Sequence, residues 1–368
     1  MQYVEYGKTG KKVSVVGFGG MRFDMGRSLE ENADIVRYAY EKGINYFDTA
    51  PNYCEGQSEI IFGEAFKKMD RNKFYVSTKG MPTKYDTAEK AIEAVKTSLE
   101  RLKVDKIDFY HVWCLRKMEH YHLAMKPGGQ YEGLLKCKEE GLIDHIVFSS
   151  HQPGHEIKEI LMDDKFDGVL LGVNILNFPY RWDGVVAAYE SGYGTVAMNP
   201  LAGGAIPKNE EKLSFLSDGE KSATETALEF LIGSKEMTIT LNGFTTKEQV
   251  DTACRIADSA EIKPAHVENL KNKLGENLNS ICTACGYCWD CPMKIPVPSY
   301  MQVYNEKQMF NATDENMGKI LKGSNEWGLL VGKKASAKDC IQCGKCEEIC
   351  TQHLPIIKRL KEIESWEQ

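Results

Sequence analysis

A regular alternation of short apolar runs with amphipathic helical stretches constrains the fold of this chain more than any other feature. The apolar runs are rich in the β-branched and aromatic residues that favour strands, and they lie at 13–20, 44–48, 74–79, 107–113, 145–149, 168–174, 194–199 and 237–242. Helical periodicity follows them at 30–42, 57–69, 87–102, 130–140, 155–163, 183–190, 221–234 and 246–258. Strands that are each followed by a helix predict an α/β fold, a (β/α)8 TIM barrel.

The rival arrangement is an open, doubly wound sheet, which would carry a glycine-rich dinucleotide fingerprint. The first strand ends in Gly17-Phe18-Gly19, but Arg22 stands where the third glycine of that fingerprint would be. The barrel is therefore favoured. The turn residues at 7–10 predict a β-hairpin ahead of the first barrel strand.

Composition excludes several classes of protein. The net charge of −7 argues against nucleic acid as a partner, because nucleic-acid binding needs a basic face. No stretch approaches the roughly 20 apolar residues of a membrane span. The start of the chain lacks the basic and apolar segments of a secretory signal, so the sequence predicts a cytoplasmic protein with no membrane partner.

Two neighbouring strands end in side chains that can carry out acid–base chemistry. The apolar run 44–47 is followed by Asp48 and, after a proline turn, by Tyr53, while the next strand ends in Lys79. A free phenol has a pKa of about 10, and a nearby ammonium favours the phenolate and lowers that pKa. An Asp that orients the ammonium completes a coherent proton-transfer device.

These residues carry a resemblance to a known family. Gly43, Asp48, Ala50 and Tyr53 match the motif that follows the second barrel strand of the aldo/keto reductases, and the chain resembles that family. The resemblance implies that Tyr53 is the proton donor to a carbonyl and that Lys79 and Asp48 tune it.

The fourth strand departs from the family pattern. The family carries a catalytic His five positions after the Asp of this strand, but here Trp113 stands five positions after Asp108, and His111 lies two residues earlier. Three explanations stay open: a bulge brings His111 to the rim, Trp113 donates its indole N–H to the carbonyl, or the reaction is not ordinary carbonyl reduction. A buried structural role for His111 is the alternative to all three.

The contacts to a nicotinamide cofactor are partly retained. By resemblance, Ser149 and Ser150 would contact the nicotinamide amide, and Asn174 replaces the usual Gln. The stretch 197–204, with Asn199 and Leu201, resembles the version found in ferredoxin-fused relatives.

A glycine loop that runs into a helix predicts the phosphate site, because backbone N–H groups at such a position suit a phosphate. The predicted contacts are Gly243, Thr245, Thr246, Lys247 and Gln249. Gln249 stands where NADP-preferring members carry an Arg, and Ala253 where an adenine-contacting Asn would stand, so both NADP and NAD remain candidates.

Eight of the twelve cysteines lie in two runs near the end of the chain. The runs comprise Cys282, Cys285, Cys288 and Cys291, and then Cys340, Cys343, Cys346 and Cys350. Four thiolates arranged as two separated CxxC pairs would satisfy zinc, whereas three closely spaced cysteines with a distal fourth are typical of a [4Fe-4S] cubane. Two such runs predict two [4Fe-4S] clusters in a ferredoxin-like domain, in which the fourth Cys of each run ligates the other cluster.

The whole chain resembles the anaerobe-type aldo/keto reductases that carry a C-terminal 4Fe-4S domain. The predicted units are a barrel over 1–258, a linker over 259–277 and a small α+β ferredoxin-like domain over 278–368. Two long stretches, 114–130 and 200–220, are predicted as loops that shape the substrate pocket.

Three functional hypotheses follow. The first is an NAD(P)(H)-dependent oxidoreductase that interconverts a carbonyl and an alcohol on a small polar metabolite. The second is an electron-transfer enzyme that couples a two-electron cofactor to a ferredoxin or flavodoxin, because a hydride carries two electrons and a cubane accepts one. The third is a non-catalytic redox sensor on a reductase scaffold.

Overall fold

The computed structural model describes residues 1–217, 219–277, 281–282, 286–350 and 353–367. Its strands are β1 (Tyr3–Glu5), β2 (Lys12–Ser14), β3 (Val16–Gly19), β4 (Tyr46–Asp48), β5 (Tyr75–Gly80), β6 (Ile107–Leu115), β7 (Ile143–Ser150), β8 (Gly168–Gly172), β9 (Gly194–Met198) and β10 (Ile239–Asn242). Strands β3 to β10 pair in parallel in chain order, and β10 pairs with β3 to close the barrel. The predicted fold class is therefore confirmed.

Helices follow the barrel strands and make up the regular structure of the C-terminal part of the described chain. They are α1 (Leu29–Glu41), α2 (Ser58–Phe66), α3 (Ala88–Leu102), α4 (Met118–Met125), α5 (Gln130–Glu139), α6 (Gly154–Met162), α7 (Trp182–Glu190), α8 (Ala205–Lys208), α9 (Ala223–Ile232), α10 (Lys247–Ser259), α11 (Val267–Asn277), α12 (Val297–Phe310), α13 (Asp314–Glu326), α14 (Lys345–Glu348) and α15 (Ile356–Trp366). Capping boxes fix the first turns of α1, α9 and α10, where Ser28, Ser222 and Thr246 accept a backbone N–H.

The β1–β2 hairpin closes the amino-terminal end of the barrel. The two strands are antiparallel, and the fully buried Tyr6 follows β1. Its ring lies 4.3 Å from that of Phe109 in β6, measured between centroids. Together with Tyr46, Val147, Leu170, Val196 and Ile239, these rings fill the lower part of the barrel. These apolar side chains and rings close the lower part of the barrel.

Both long predicted loops contain a short helix, and that of 200–220 is α8. The stretch 114–130 includes α4, whose residues His120 and Tyr121 are buried. The Tyr121 hydroxyl donates to the Asp163 carboxylate. This tertiary contact stabilises a short helix. The local sequence does not predict that helix, because it ends in the turn residues Pro127-Gly128-Gly129.

The C-terminal part of the chain has its own core. In the described residues after Asn277 the regular elements are helices, and they bury Tyr300, Met301, Leu360, Ile363 and Trp366 against one another. Each helix in the described part of the chain is too short or too polar to cross a lipid bilayer.

This C-terminal region packs on the carboxyl end of the barrel. Trp289 meets His155, at the start of α6, with ring centroids 5.7 Å apart. Lys212, in the segment after β9, donates to the Gln308 carbonyl at 2.9 Å. Burial raises the pKa of Tyr180, which follows β8, and the neighbouring Ser299 side chain of α12 partly offsets this. Since all three barrel contacts follow strand carboxyl ends, the C-terminal helices cover the face at which barrels build their active sites.

Candidate active site

Asp48, Tyr53 and Lys79 meet at the carboxyl end of the barrel. The Lys79 Nζ lies 2.5 Å from Asp48 Oδ1 and 3.5 Å from the Tyr53 hydroxyl. Asp48 is the last residue of β4, Lys79 lies near the end of the neighbouring β5, and Tyr53 begins a 3₁₀ turn that returns the chain to the rim. Lys79 is fully buried and Asp48 is 3% exposed, so this ion pair is shielded from water.

The charges of this group follow from burial and pairing. Burial alone would lower the pKa of Lys79, but Asp48 and Tyr53 raise it, and the net pKa lies above its ordinary value. Burial raises the pKa of Tyr53 by more than the Lys79 ammonium lowers it. The sequence-based prediction of a lowered phenol pKa is therefore wrong in direction, because it took account of the ammonium and not of desolvation. The site holds a charged Lys79 and a neutral phenol that can donate a proton.

A second layer of hydrogen bonds lies beneath the ion pair. Ser77 Oγ donates to Asp48 Oδ2 at 2.8 Å and lies 3.0 Å from Nε2 of His111. His111 is fully buried, and its pKa is well below the ordinary value because of burial and the Lys79 charge. The imidazole is therefore neutral, and it contacts Ser77 inside the barrel.

A β-bulge lies beyond His111 and brings Trp113 to the rim. The register of β6 against β7 shifts between Val112 and Leu115, and Cys114 has a positive φ of 63°. The backbone N–H of Cys114 donates to Ser149 Oγ at 2.8 Å, which fixes the bulge. Because the bulge follows His111, it does not bring that residue to the rim, and this explanation of the departure from the family pattern is wrong.

Trp113 packs directly against Tyr53. The two rings meet edge-on at 84°, with centroids 5.8 Å apart, and Trp113 is 9% exposed. Its indole N–H donates to none of the described residues. Of the two residues considered at this strand end, Trp113 is the one beside the phenol.

The residues predicted at the nicotinamide have partners within the protein. Ser150 Oγ donates to the Leu115 carbonyl at 3.1 Å, as Ser149 accepts from Cys114. Asn174 Nδ2 donates to the carbonyl of Asn199, which has a positive φ of 64°. Leu201 is partly buried and packs against the barrel core. These contacts hold the ends of β6 to β9 together around the mouth.

The predicted phosphate loop is organised by its own side chains. Gln249 Oε1 accepts from the backbone N–H groups of Thr245 at 2.8 Å and Thr246 at 3.4 Å. Lys247 Nζ pairs with Asp34 at 3.1 Å. A side chain at position 243 would collide with Arg22, because a Cβ there would lie 2.6 Å from Arg22 Cγ. Glycine therefore lets Arg22 pack on this loop.

Two arginines beside this loop were not predicted. Arg22 packs on Gly243, and Arg27 Nη1 donates to the Thr245 carbonyl at 2.6 Å. In the sequence, Arg22 is notable only because it stands where the third glycine of a dinucleotide fingerprint would be. No local pattern indicates that the β3–α1 segment folds over the loop after β10. Arg22 contacts Gly243 through its aliphatic Cβ and Cγ, and Arg27 also pairs with Asp24 at 3.4 Å. Both cations lie beside the predicted phosphate loop, and this nearby positive charge fits the phosphates of a dinucleotide.

The C-terminal cysteines converge on a cavity. Its volume is about 460 Å³, and its walls include Cys288, Cys291, Cys340, Cys343 and Cys346. Four of these are the predicted ligands of one cluster, and Cys288 belongs to the other predicted set. In the part of the chain that the structure covers, no three Cys, His, Asp or Glu side chains are close enough to hold a single metal ion. Five thiols around a large cavity therefore fit a cluster better than one zinc ion.

Two of the remaining predicted ligands, Cys282 and Cys350, lie near Arg359. Cys282 and Cys350 both act electrostatically on the buried Arg359. The Cys282 backbone N–H donates to Asn305 Oδ1 at 2.7 Å, and Leu354 N–H lies 3.5 Å from the Cys350 sulfur. Cys285 lies outside the described residues.

Comparisons with known proteins match both parts of the chain. Residues 15–270 match the model of the aldo/keto reductase family, and residues 281–354 match that of the 4Fe-4S dicluster domain. An L-galactose dehydrogenase of Arabidopsis thaliana is 27% identical over 281 residues, which are 67% of this chain and 84% of that protein. A probable aldo-keto reductase 1 of Glycine max is 30% identical over 166 residues, 42% of this chain and 46% of that protein.

Solved structures share the barrel. The aldo-keto reductase AKR11C1 from Bacillus halodurans, in its holo form, superposes with a TM-score of 0.62 at 24% identity, over 74% of this chain and 95% of that one. An aldo-keto reductase from Klebsiella pneumoniae in complex with NADPH gives a TM-score of 0.61 at 17% identity, over 75% of this chain and 95% of that one. At these identities the likeness establishes the fold.

Proposed function

Because the chain belongs to the aldo/keto reductase family, we propose that it is a nicotinamide-dependent oxidoreductase that interconverts a carbonyl and an alcohol on a small polar metabolite. The observation that carries this proposal is the meeting of Asp48, Lys79 and Tyr53 at the carboxyl end of the barrel. A neutral phenol beside a buried ammonium is suited to donate a proton to a carbonyl oxygen and to take it back in the reverse reaction.

Each residue has a separate task in this proposal. Tyr53 donates the proton, and the Lys79 charge stabilises the phenolate that remains. Asp48 keeps Lys79 charged and fixes its position. Trp113, whose indole N–H is available beside Tyr53, stabilises the developing charge on the carbonyl oxygen. His111 holds Ser77 and, through it, Asp48, so it is a positioning residue.

A bound nicotinamide would supply or accept the hydride. Ser149, Ser150 and Asn174 would shape its site at the ends of β7 and β8. Arg22 and Arg27, together with the loop from Gly243 to Gln249, would hold the phosphates. This arginine pair favours NADPH over NADH, since the 2′-phosphate of NADPH adds negative charge.

The chain carries a 4Fe-4S dicluster domain, and we propose two clusters in it. One is held by Cys340, Cys343, Cys346 and Cys291, and the other by Cys282, Cys285, Cys288 and Cys350. The catalytic unit would be 1–258, joined by 259–277 to the cluster domain over 278–368. A cytoplasmic location, which keeps these thiols reduced, is part of the proposal.

A second candidate function is electron transfer to a ferredoxin or flavodoxin. It is favoured by the position of the first cysteine run: Cys282 is within electrostatic range of Tyr180, which lies on the barrel face that bears the catalytic group. A cluster there would be close enough to the mouth to exchange electrons with a cofactor bound inside.

An anaerobic titration of the iron-loaded protein with NADPH and then NADH tests both candidates. Nucleotide fluorescence reports binding, and absorbance near 400 nm, roughly where iron–sulfur clusters absorb, reports cluster reduction. Nucleotide binding that leaves the cluster absorbance unchanged supports the reductase. Nucleotide binding that lowers the cluster absorbance supports electron transfer. Failure to bind either nucleotide contradicts the proposal.

A further inference from the structure

Three nitrogen-bearing side chains lie together at the barrel mouth beside the catalytic group. Arg116 follows β6, His151 follows β7, and Arg181 lies in the segment after β8. Arg181 Nη1 donates to the Gly172 carbonyl at 3.0 Å, and Nη2 donates to the His151 carbonyl. The His151 N–H in turn donates to the Leu115 carbonyl at 2.9 Å. We call these three residues the rim cluster.

The positive charge of the rim cluster has no carboxylate partner. Neither guanidinium forms an ion pair with any residue that the structure describes, and the Nε of each is buried without a hydrogen-bond acceptor. Burial lowers the pKa of Arg181 to about 10, so it stays charged at neutral pH. Both arginines are half-buried, and a partly desolvated charge without a partner is stabilised when a counter-charge binds beside it.

The acidic groups nearby are engaged elsewhere. Glu156 accepts from Gln152 at 2.6 Å, and burial raises its pKa. Glu119 is exposed on α4. The Cys282 thiol acts electrostatically on Arg359 and Tyr180, and no described cysteine or carboxylate contributes to the pKa of Arg181. A counter-charge must therefore come from outside the described chain.

The rim cluster is neutral at His151 and charged at the two arginines. The pKa of His151 falls to about 3 because of burial and of the charges of Arg181 and Arg116. A neutral imidazole can donate one N–H, and each guanidinium can donate several in a planar fork. This combination of donors is suited to a planar or tetrahedral oxyanion.

The rim cluster and the phenol flank the same thiol. Burial raises the pKa of Cys114, and the charges of Arg116 and Lys79 both oppose this rise. Cys114 in turn adds to the rise in the pKa of Tyr53, which is caused mainly by burial. Gly328 of the C-terminal region packs over Arg116, since a Cβ at that glycine would lie 3.9 Å from Arg116 Nε. Arg116 therefore lies between Cys114 and the segment that follows α13.

We infer that Arg116 and Arg181 bind the carboxylate or phosphate of a substrate whose carbonyl or hydroxyl group faces Tyr53. The substrate class is then a small oxo acid, hydroxy acid or phosphorylated carbonyl compound. This inference rests on the proposed function. It adds an anion subsite, one wall of which is roofed by the cluster domain.

Matched aldehydes test the inference on the iron-loaded, full-length enzyme. The carboxylate arm compares 4-carboxybenzaldehyde with its neutral methyl ester, and the phosphate arm compares glyceraldehyde 3-phosphate with glyceraldehyde. We expect kcat/KM for one charged member to exceed that for its neutral partner by roughly tenfold or more, as a charge-assisted hydrogen bond allows. In Arg116→Gln the ratio should fall severalfold, with Arg181 keeping part of the preference, and in Arg116→Lys it should fall less.

Arg255→Gln is the matched control, because Arg255 is exposed and pairs with Glu225 on the outer helices. Equal turnover of charged and neutral aldehydes, or a ratio that Arg116→Gln leaves unchanged, would overturn the inference. Arg181 is left intact, since it ties two strand ends together and its loss could unfold the barrel.

Binding distinguishes failure of this inference from failure of the proposed function. Calorimetry measures the affinity of oxalate and of inorganic phosphate for the wild type and for Arg116→Gln. Anion binding that Arg116→Gln weakens roughly tenfold supports the subsite even if no aldehyde is reduced. If neither anion binds the wild type, the subsite is refuted, whatever the outcome of the nucleotide titration. Altered cluster potentials in Arg116→Gln with unchanged anion binding would assign Arg116 to the clusters instead.

Discussion

The edge of Trp113 meets the ring of Tyr53 at 84°, with centroids 5.8 Å apart. The β-bulge in β6 produces this contact, because it carries Trp113 to the rim while His111 stays inside the barrel. The indole thus occupies the strand end at which the family resemblance expects a histidine. It both packs the phenol and offers an N–H to the carbonyl oxygen.

Replacing Trp113 by Phe should lower kcat by roughly a hundredfold, since it removes an N–H donor aimed at the developing oxyanion while keeping an aromatic ring. Trp113→His should retain much more activity, because an imidazole N–H restores a donor. Steady-state kinetics with a saturating nucleotide check this. A Phe variant as active as the wild type would leave the polarising role without support.

The Asp48–Lys79 pair should show strong coupling in a double-mutant cycle. Lys79→Met leaves the Asp48 carboxylate buried and unpaired, and we expect roughly 3–5 kcal/mol of destabilisation. The double variant Asp48→Asn/Lys79→Met should be more stable than Lys79→Met alone. Urea unfolding of the four proteins measures the coupling. Additive changes would mean that the pair contributes little as a pair.

Acid should destabilise the barrel through His111. Its folded-state pKa lies well below the ordinary value of about 6.5, so the unfolded chain binds the proton more readily. The stability that comes from keeping this imidazole neutral is complete above pH ~6.5 and is lost progressively as the pH falls below that value. Unfolding free energies measured from pH 7.5 to 5 should show a smaller slope in His111→Gln than in the wild type. An identical slope would mean that other groups carry the acid response.

The two proposed clusters predict an iron content of about eight atoms per chain, the content of two cubanes. Cys343→Ser should reduce the iron content and alter the electron paramagnetic resonance signal of one cluster. Cys137→Ser, a buried cysteine of α5, is the control and should change neither. About four iron atoms in the wild type, or bound zinc, would contradict the assignment.

Much of the fold could be predicted because local sequence patterns indicate its strands and helices. The strand that ends at Asp48 is marked by a short apolar run, and most other units pair such a run with an amphipathic helix, so eight of these units leave few topologies. Lys79 could be placed near Asp48 for the same reason, since consecutive parallel strands usually lie side by side. The short helix α4 could not be predicted, because its burial depends on Asp163, which is distant in sequence.

The pKa values and side-chain contacts of the site depend on the folded surroundings, which the local sequence does not specify. The pKa of Tyr53 reflects a balance of burial against the Lys79 charge, and only the folded surroundings decide which is larger. The Ser77 bridge to His111 requires the register between β5 and β6. Arg22 and Arg181 lie where loops from different strand ends contact each other. No local sequence pattern predicts these tertiary contacts.

The central claim is that Tyr53 supplies the proton during hydride transfer. The most direct measurement is a single-turnover reaction of preformed enzyme–NADPH complex with an aldehyde, followed by loss of nicotinamide fluorescence, for the wild type, Tyr53→Phe and the exposed control Tyr189→Phe. We predict that Tyr53→Phe slows hydride transfer by roughly a hundredfold or more, within the range of general acid catalysis, while its NADPH affinity and the rate of Tyr189→Phe stay at the wild-type value. A Tyr53→Phe enzyme that transfers hydride at the wild-type rate would contradict the account.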